Sequence, residues 1–280
     1  TQLLGESIPK TDVESILQSL DIKFIANDNG WKLQVPPYRV DVQREADVVE
    51  EILRIYGYNT ITIPEKLNSS IVYSDKFNPN SIQEKAANHL ASLGFNETMN
   101  NSLQKLVYND WSANINPEHT VKILNPLSQD LGAMRQSLLW GGLETISYNI
   151  NRKQADLKLF EFGKTYHKYD SGYVENRRLS ILVSGKRLSE NWINNTQVSD
   201  FYYAKGIVEN LLAKLKIKNL KYSPVKNDVF SEGITIESGK KSLVEIGLVN
   251  QSLLKKFDIS QNVIYANILW DNVLEVVQYQ

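Results

Sequence analysis

Apolar and polar positions follow two different periods along this chain, and the change of period divides it. In "IPKTDVESILQSLDIKF", Val13, Ile16, Leu17 and Leu20 recur at helical spacing behind Pro9 and Thr11, which predicts an opening helix. "GWKLQVPPYRVDV" alternates apolar and polar residues and predicts a hairpin or strand ended by Pro36-Pro37. A second helix is expected from about Ala46 to Tyr56, with Gly57 as its stop residue. "TITIPEKLNSS" reads as a short strand running into a linker. Residues 1–66 are therefore expected to form a helix–strand–helix–strand unit, small enough to need a partner surface for its apolar face.

From about Ser70 the texture changes. "NPNSIQEKAANHLASLGF" predicts a capped amphipathic helix ended at Gly94. Strands are expected at "NETMNNSLQ", "TVKILNP", "DLKLFEFGKTYHK", "RRLSILVSGK", "GITIES", "SLVEIGLV" and "NVIYANILW". Helices are expected at "MRQSLLWGGLETISYNIN", "FYYAKGIVENLLAKLK" and "QSLLKKFD". Runs of strands broken by isolated helices predict an antiparallel α+β domain over residues 70–280 rather than regular βαβ units.

Composition narrows the function. With 280 residues and 42% apolar content, the chain can bury one or two real cores. The net charge of −1 is unevenly spread. Residues 1–66 carry seven Lys/Arg against eleven Asp/Glu, a net −4, and the remainder carries +3. That is not the footprint of a domain gripping nucleic acid through its own field. The absence of cysteine excludes disulfides, thiolate metal sites and cysteine nucleophiles. No apolar run reaches the roughly 18–20 residues of a membrane span. No signal peptide opens the chain and Thr1 is not an initiator Met, so a cytoplasmic piece of a longer polypeptide is expected, with the sequons at Asn96 and Asn194 arising by chance.

Most candidate chemistry dissolves on inspection. "FGKTY" ends like a phosphate loop, but the position where that loop needs its first Gly holds Lys158. His89, His119 and His167 lie far apart in different elements. The stretch "RVDVQREADVVEEILRIYGY" is different, because it places Asp41, Asp47, Glu50 and Glu51 within eleven positions. On a helix Asp47, Glu50, Glu51 and Arg54 span one narrow arc, opposite the apolar arc of Val48, Val49, Ile52, Leu53 and Tyr56. Two readings stand side by side. The acids are a solvated face that favours the helix dipole, with Arg54 paired to Glu50 or Glu51. Alternatively, joined by Asp41, they form an oxygen-rich site suited to Mg²⁺.

"VPPYRVDVQREADVVEEILRIYGYNTITIP" resembles the metal-associated module of the bacterial phenylalanyl-tRNA synthetase beta-subunit family. "LNPLSQDLGAMRQSLLWGGLETISYNINRK", "LKLFEFGKTY" and "DFYYAKGIVENLL" resemble later segments of the same family. "VEIGLVNQSLLKKFDI" departs from it, with Asn250-Gln251 where the family usually has His-Pro. The resemblance covers essentially the whole chain. It implies a winged-helix-like module at 1–66, then an antiparallel-sheet domain with a non-catalytic class II synthetase-like fold. It also implies Mg²⁺ held by Asp41, Asp47, Glu50 and Glu51 in a site shared with an alpha subunit. The implied assembly has two alpha and two beta chains, with phenylalanine tRNA as partner and ATP used by the holoenzyme but not bound here. Neither an N-terminal editing and tRNA-binding region nor a C-terminal anticodon-binding domain is recognisable in the 280 residues.

The same resemblance sets an expectation of inactivity. Active class II cores carry an Arg on the ATP α-phosphate and a later Gly-x-Gly-x-(Asp/Glu)-Arg. Here the strand before Glu161 reads Leu159-Phe160, and the glycine motif is missing. Trp140, set among leucines and glycines in "LLWGGL", is the candidate anchor for a partner interface. The rival reading, a free-standing winged-helix protein that binds nucleic acid, is opposed by the −4 charge of residues 1–66. An independent adenylate-forming enzyme is opposed by the missing arginines.

Overall fold

The structure is a computed structural model. It describes all residues except 1–2, 28–29, 64–65, 67–68, 71–76, 189–191, 194–196, 226 and 279–280. The sequon at Asn194 lies outside the described residues, as does part of the expected linker. The chain divides into two compact units, Thr1–Ser74 and Asp75–Gln280. No helix among the described residues is long and apolar enough to cross a membrane.

In the first unit, helix α1 (Lys10–Ser19) precedes an antiparallel hairpin of β1 (Lys23–Asn27) and β2 (Gly30–Gln34), and helix α2 (Glu45–Tyr56) follows. The apolar arcs of both helices meet in one small core, where Val13, Ile16, Leu17, Ile22, Val42, Val48 and Ile52 are buried. Trp31 from the hairpin packs on this cluster and donates its indole N–H to Glu14 at 3.1 Å. The strand expected at "TITIP" does not form over Ile61–Ile63. Gly57, at φ +100°, turns the chain at the end of α2, and Thr60 donates its hydroxyl to the Gly57 carbonyl at 2.6 Å. A short 3₁₀ turn over Tyr58–Thr60 results, and the residues beyond it find no strand to pair with among those described.

The second unit opens with α3 (Pro79–Ser92) and three two-residue strands, β3 (Asn96–Glu97), β4 (Leu103–Gln104) and β5 (Ala133–Met134). Helix α4 (Leu139–Ile150) leads into the long strands β6 (Leu157–Tyr169) and β7 (Gly172–Ser184). After α5 (Phe201–Lys214) come β8 (Leu220–Pro224), β9 (Phe230–Ser238) and β10 (Lys241–Val249). The short α6 (Gln251–Lys255), β11 (Val263–Leu269) and α7 (Trp270–Gln278) close the chain. Seven strands form one sheet in the order β3-β6-β7-β11-β10-β9-β8. Every pairing in it is antiparallel except β3 with β6, so the sheet is mixed, not purely antiparallel as the strand pattern suggested.

Period-2 alternation gives the sheet two distinct faces. Leu179, Ile181 and Val183 of β7, with Ile264, Ala266 and Ile268 of β11, pack against α3, α5 and α7 in the main core. Leu182, Val263 and Tyr265 point the other way and meet α4 and α6. The helix predicted from Met134 begins only at Leu139, because Ala133 and Met134 pair with β4 and Arg135 turns inward. The departure at Asn250 has a local role: its side chain accepts from the Ser252 N–H at 3.1 Å and caps α6.

Two of the motif segments singled out in the sequence meet at one buried ion pair. Arg135 reaches Glu161 on β6 at 2.6 Å, with their side chains only 7% and 2% exposed. Asn100 adds an amide donor to Glu161 at 2.7 Å, and Arg135 donates to the carbonyls of Lys164 at 3.0 Å and Asn100 at 3.2 Å. Gly163 makes room for this, since a Cβ there would collide with the Arg135 guanidinium. Leaving one buried charge without its partner costs about 3–5 kcal/mol. Glu161→Leu should therefore destabilise the second unit by about that much, whereas Arg135→Met with Glu161→Leu should recover most of the loss. Urea unfolding followed by tryptophan fluorescence measures this, because Trp111, Trp140, Trp192 and Trp270 all belong to that unit. A double variant as unstable as the single one would assign the effect to packing rather than to the charge.

Candidate functional site

The acid-bearing segment is built by the turn that leads into α2. Arg39 closes a turn with its N–H on the Pro36 carbonyl at 3.0 Å, which follows from the bend that Pro36-Pro37 imposes. Asp47 sits in the first turn of α2 and accepts from the backbone N–H groups of Gln43 at 3.0 Å and Arg44 at 2.8 Å. It thereby holds the helix start, satisfying donors that a helix leaves unpaired.

The four acids are then shared out among arginine and backbone partners. Arg39 pairs with Asp41 at 3.1 Å and with Glu51 at 2.8 Å, and so bridges the turn to the helix. Arg54 pairs with Glu51 at 2.7 Å, which matches one of the pairings expected of a solvated face. Arg44 stands 3.3 Å from Asp47. The Glu50 side chain is exposed and makes no ion pair or hydrogen bond among the described residues.

The electrostatics follow from these contacts. The guanidinium of Arg39 holds the Asp41 carboxyl below its ordinary range. The backbone N–H groups of Gln43 and Arg44 do the same for Asp47, and Arg54 followed by Arg39 for Glu51. Arg39 is itself pushed above the usual guanidinium range, first by Asp41 and then by Glu51. Three of the four acids thus have their negative charge answered by groups of this chain.

A metal held by this chain alone does not fit that arrangement. No group of three or more His, Asp or Glu side chains among the described residues is placed to hold a metal ion. Arg39 stands between Asp41 and Glu51 as the local cation, and Asp47 is committed to the backbone. Sequence reasoning missed Arg39 as the hub, although "RVD" placed it two residues from Asp41. The same segments expose Tyr38, Val40, Ile55 and Tyr58, each more than two-fifths accessible.

Trp140 is corrected outright. It is 0% exposed within its own unit and presents nothing to a partner. Its ring lies in a cluster with Tyr108, Trp111 and Phe257 at centroid distances of 6.1, 6.0 and 6.3 Å. The glycines beside it do allow close approach, but inside the fold: a Cβ on Gly142 would collide with Leu182 of the sheet, and one on Gly141 would come within 2.9 Å of Asn100.

Two family profiles match the chain. One, described as the tRNA synthetase B5 domain, matches residues 1–58, and the other, described as the phenylalanyl tRNA synthetase beta chain CLM domain, matches residues 63–270. The phenylalanine–tRNA ligase beta subunit of Bacteroides thetaiotaomicron is 41% identical over 99% of this chain and 35% of its own length. That of Porphyromonas gingivalis is 35% identical over 97% of this chain and 35% of its own length. The chain thus spans 35% of the length of these curated relatives. Among solved structures, pyrrolysyl-tRNA synthetase from Desulfitobacterium hafniense superposes with a TM-score of 0.58 at 12% identity, covering 97% of this chain and 91% of that one. The likeness is one of fold.

The depressed carboxyls set a pH dependence. A group whose folded pKa lies below its unfolded value of about 4 contributes stability that is present above that value and lost as pH falls through the folded one. Asp47→Asn should therefore weaken amide-exchange protection in the first turns of α2 at pH 7. The gap from the parent should stay constant down to about pH 5 and shrink below about pH 4. A gap that does not change with pH would mean that the cap acts through shape and not through charge.

Proposed function

This chain belongs to the phenylalanine–tRNA ligase beta-subunit family, and from that premise we propose that it is a structural and interface part of such a subunit, supporting a catalytic alpha subunit in the ATP-dependent attachment of phenylalanine to its tRNA. The observation that carries this reading is the family match over residues 63–270 together with relatives similar along nearly the whole chain. The assembly is two alpha with two beta chains in the cytoplasm, and tRNA is a ligand of the whole enzyme. The first unit, a helix followed by a two-stranded hairpin, is read as a winged-helix-like module. Its job is to meet a partner chain, not nucleic acid, consistent with the −4 charge of residues 1–66.

Chemistry is assigned to the alpha subunit. Glu161 and Gly163 of the "FEFG" strand serve an internal ion pair with Arg135 and are not free to handle phosphate. No arginine precedes Glu161 on its strand, and the Gly-x-Gly-x-(Asp/Glu)-Arg segment is absent from the sequence. A site without positioned cations lacks the charge stabilisation that phosphoryl chemistry needs. Pyrophosphate exchange with phenylalanine and ATP should therefore stay at background for the 280-residue chain alone and appear only when an alpha chain is added. Phenylalanine-dependent exchange by the pure chain would refute the scaffold role.

Mg²⁺ is read as an ion shared between chains. Asp41, Asp47, Glu50 and Glu51 offer oxygens from this side, and the second chain completes the set. Arg39 competes with the ion for Asp41 and Glu51, and its pair with Asp41, whose side chain is 62% exposed, is weak enough to exchange. The exposed Tyr38, Val40, Ile55 and Tyr58 supply apolar contact area beside the acids. Replacing Glu50 and Glu51 together with Gln should lower the affinity for the alpha chain in Mg²⁺ by about tenfold or more while leaving the helix content unchanged. Assembly that is indifferent both to this double change and to chelation would make the acids an ordinary solvated face.

A further inference from the structure

The sheet face that carries α4 is not apolar along its whole length. At one end Leu182, Val263 and Tyr265 meet Trp140 and Leu143. Farther along the same face, alternation brings up Arg178 and Ser180 on β7, Asn267 on β11 and Glu245 on β10. Arg178 stands opposite Leu269, and Glu245 opposite Asn267, so three adjacent strands present a cation, an amide and an anion side by side. Their in-strand neighbours Leu179, Ile268, Val244 and Ile246 are fully buried on the other face. Polar groups in such surroundings cost free energy unless they are partnered.

Within this chain they are poorly partnered. Arg178 donates to the carbonyl of Arg177 at 3.2 Å and forms no ion pair among the described residues. Glu245 accepts one long hydrogen bond, from the Asn267 amide at 3.4 Å, and likewise forms no ion pair. The Ser180 hydroxyl and the Trp140 indole N–H are buried without any hydrogen-bond partner. On the neighbouring strand, Glu161 has every need met by Arg135 and Asn100. One half of this polar face is complete in itself and the other half is not.

In front of the incomplete half lies a cavity of about 360 Å³, walled by Arg178, Glu245, Asn267 and Tyr265 together with Trp140 and Phe230. Small-molecule sites occupy about this volume, with an apolar wall and a few polar groups that fix orientation. A guanidinium fork matches a carboxylate, and a carboxylate matches an ammonium. Arg178 and Glu245 lie two strands apart, roughly 10 Å across the sheet, a span that one small molecule can bridge. We propose that this cavity binds a small zwitterion of the α-amino-acid class, with its carboxylate on Arg178, its ammonium on Glu245 and its apolar side chain against Val229, Phe230 and Leu269, which line the same cavity. Burial already pulls Arg178 below the ordinary guanidinium range, a penalty that a bound carboxylate would offset.

The test is calorimetric titration of the 280-residue chain, with no other subunit present, by l-leucine and l-phenylalanine up to about 10 mM. Each has two truncated analogues: 4-methylpentanoate and 3-phenylpropanoate lack the ammonium, and 3-methylbutylamine and 2-phenylethylamine lack the carboxylate. At least one amino acid should bind saturably, with both of its analogues weaker by about tenfold or more. Arg178→Gln and Glu245→Gln should each lose that binding at an unchanged melting temperature. The analogue comparison is made on the parent chain, so it decides the matter even where a variant fails to fold. No saturable binding by either amino acid, analogues as tight as the parent ligand, or folded variants that bind normally would each overturn the proposal.

Discussion

A guanidinium and a carboxylate buried together have to satisfy each other and every remaining donor and lone pair, because water cannot help. Arg135 and Glu161 meet that condition on one face of the central sheet, and the surrounding segments are arranged to allow it. Asn100 supplies an amide to one partner and a carbonyl to the other, and Lys164 supplies a second carbonyl. Gly163 leaves the space through which the arginine passes. The loop after β3, the end of β5 and the middle of β6 are therefore tied at a single point, and α4 can begin only after Arg135 has turned inward. The short spacing between Met134-Arg135 and the helix start is the consequence of that tie.

The first unit uses the same chemistry in a different regime. Arg39 also answers two carboxylates, an exposed one on Asp41 and a half-buried one on Glu51. Exposed pairs contribute little and are screened by salt, whereas buried ones cannot be opened without large cost. The Arg135–Glu161 pair belongs to the fold, and the Arg39–Asp41 pair is the most open to water of the ion pairs that Arg39 makes. The depressed carboxyls of Asp41, Asp47 and Glu51 stay ionised across the physiological range.

Much of the architecture was legible in residue patterning. Alternation placed β6, β7, β9, β10 and β11 close to where they form, and helical spacing placed α1, α2, α3 and α5. These elements are long and strongly periodic, so local preference and burial agree. The strand expected over "NETMNNSLQ" forms only at its two ends, as β3 and β4, and β5, β8 and α7 were not anticipated. The strand expected after Gly57 failed because a strand needs a neighbour, and none of the described residues offers one. The parallel pairing of β3 with β6 was equally invisible, since strand direction is a property of chain path and not of composition.

The division runs through single residues as well. Sequence alone determined that Asp47, Glu50, Glu51 and Arg54 would share one arc of α2, because spacing along a helix is a local matter. It could not say that Arg39 would reach across from the preceding turn to Glu51, since that distance depends on how the Pro36-Pro37 bend sets the turn against α2. Trp140 shows the same limit from the other side. A tryptophan flanked by leucines and glycines reads identically whether the surface it packs against belongs to another chain or to its own sheet. Only the tertiary structure, by bringing Leu182, Tyr108 and Phe257 against it, decided that it lies inside. Composition specifies that a side chain must be buried; the path of the chain decides against what.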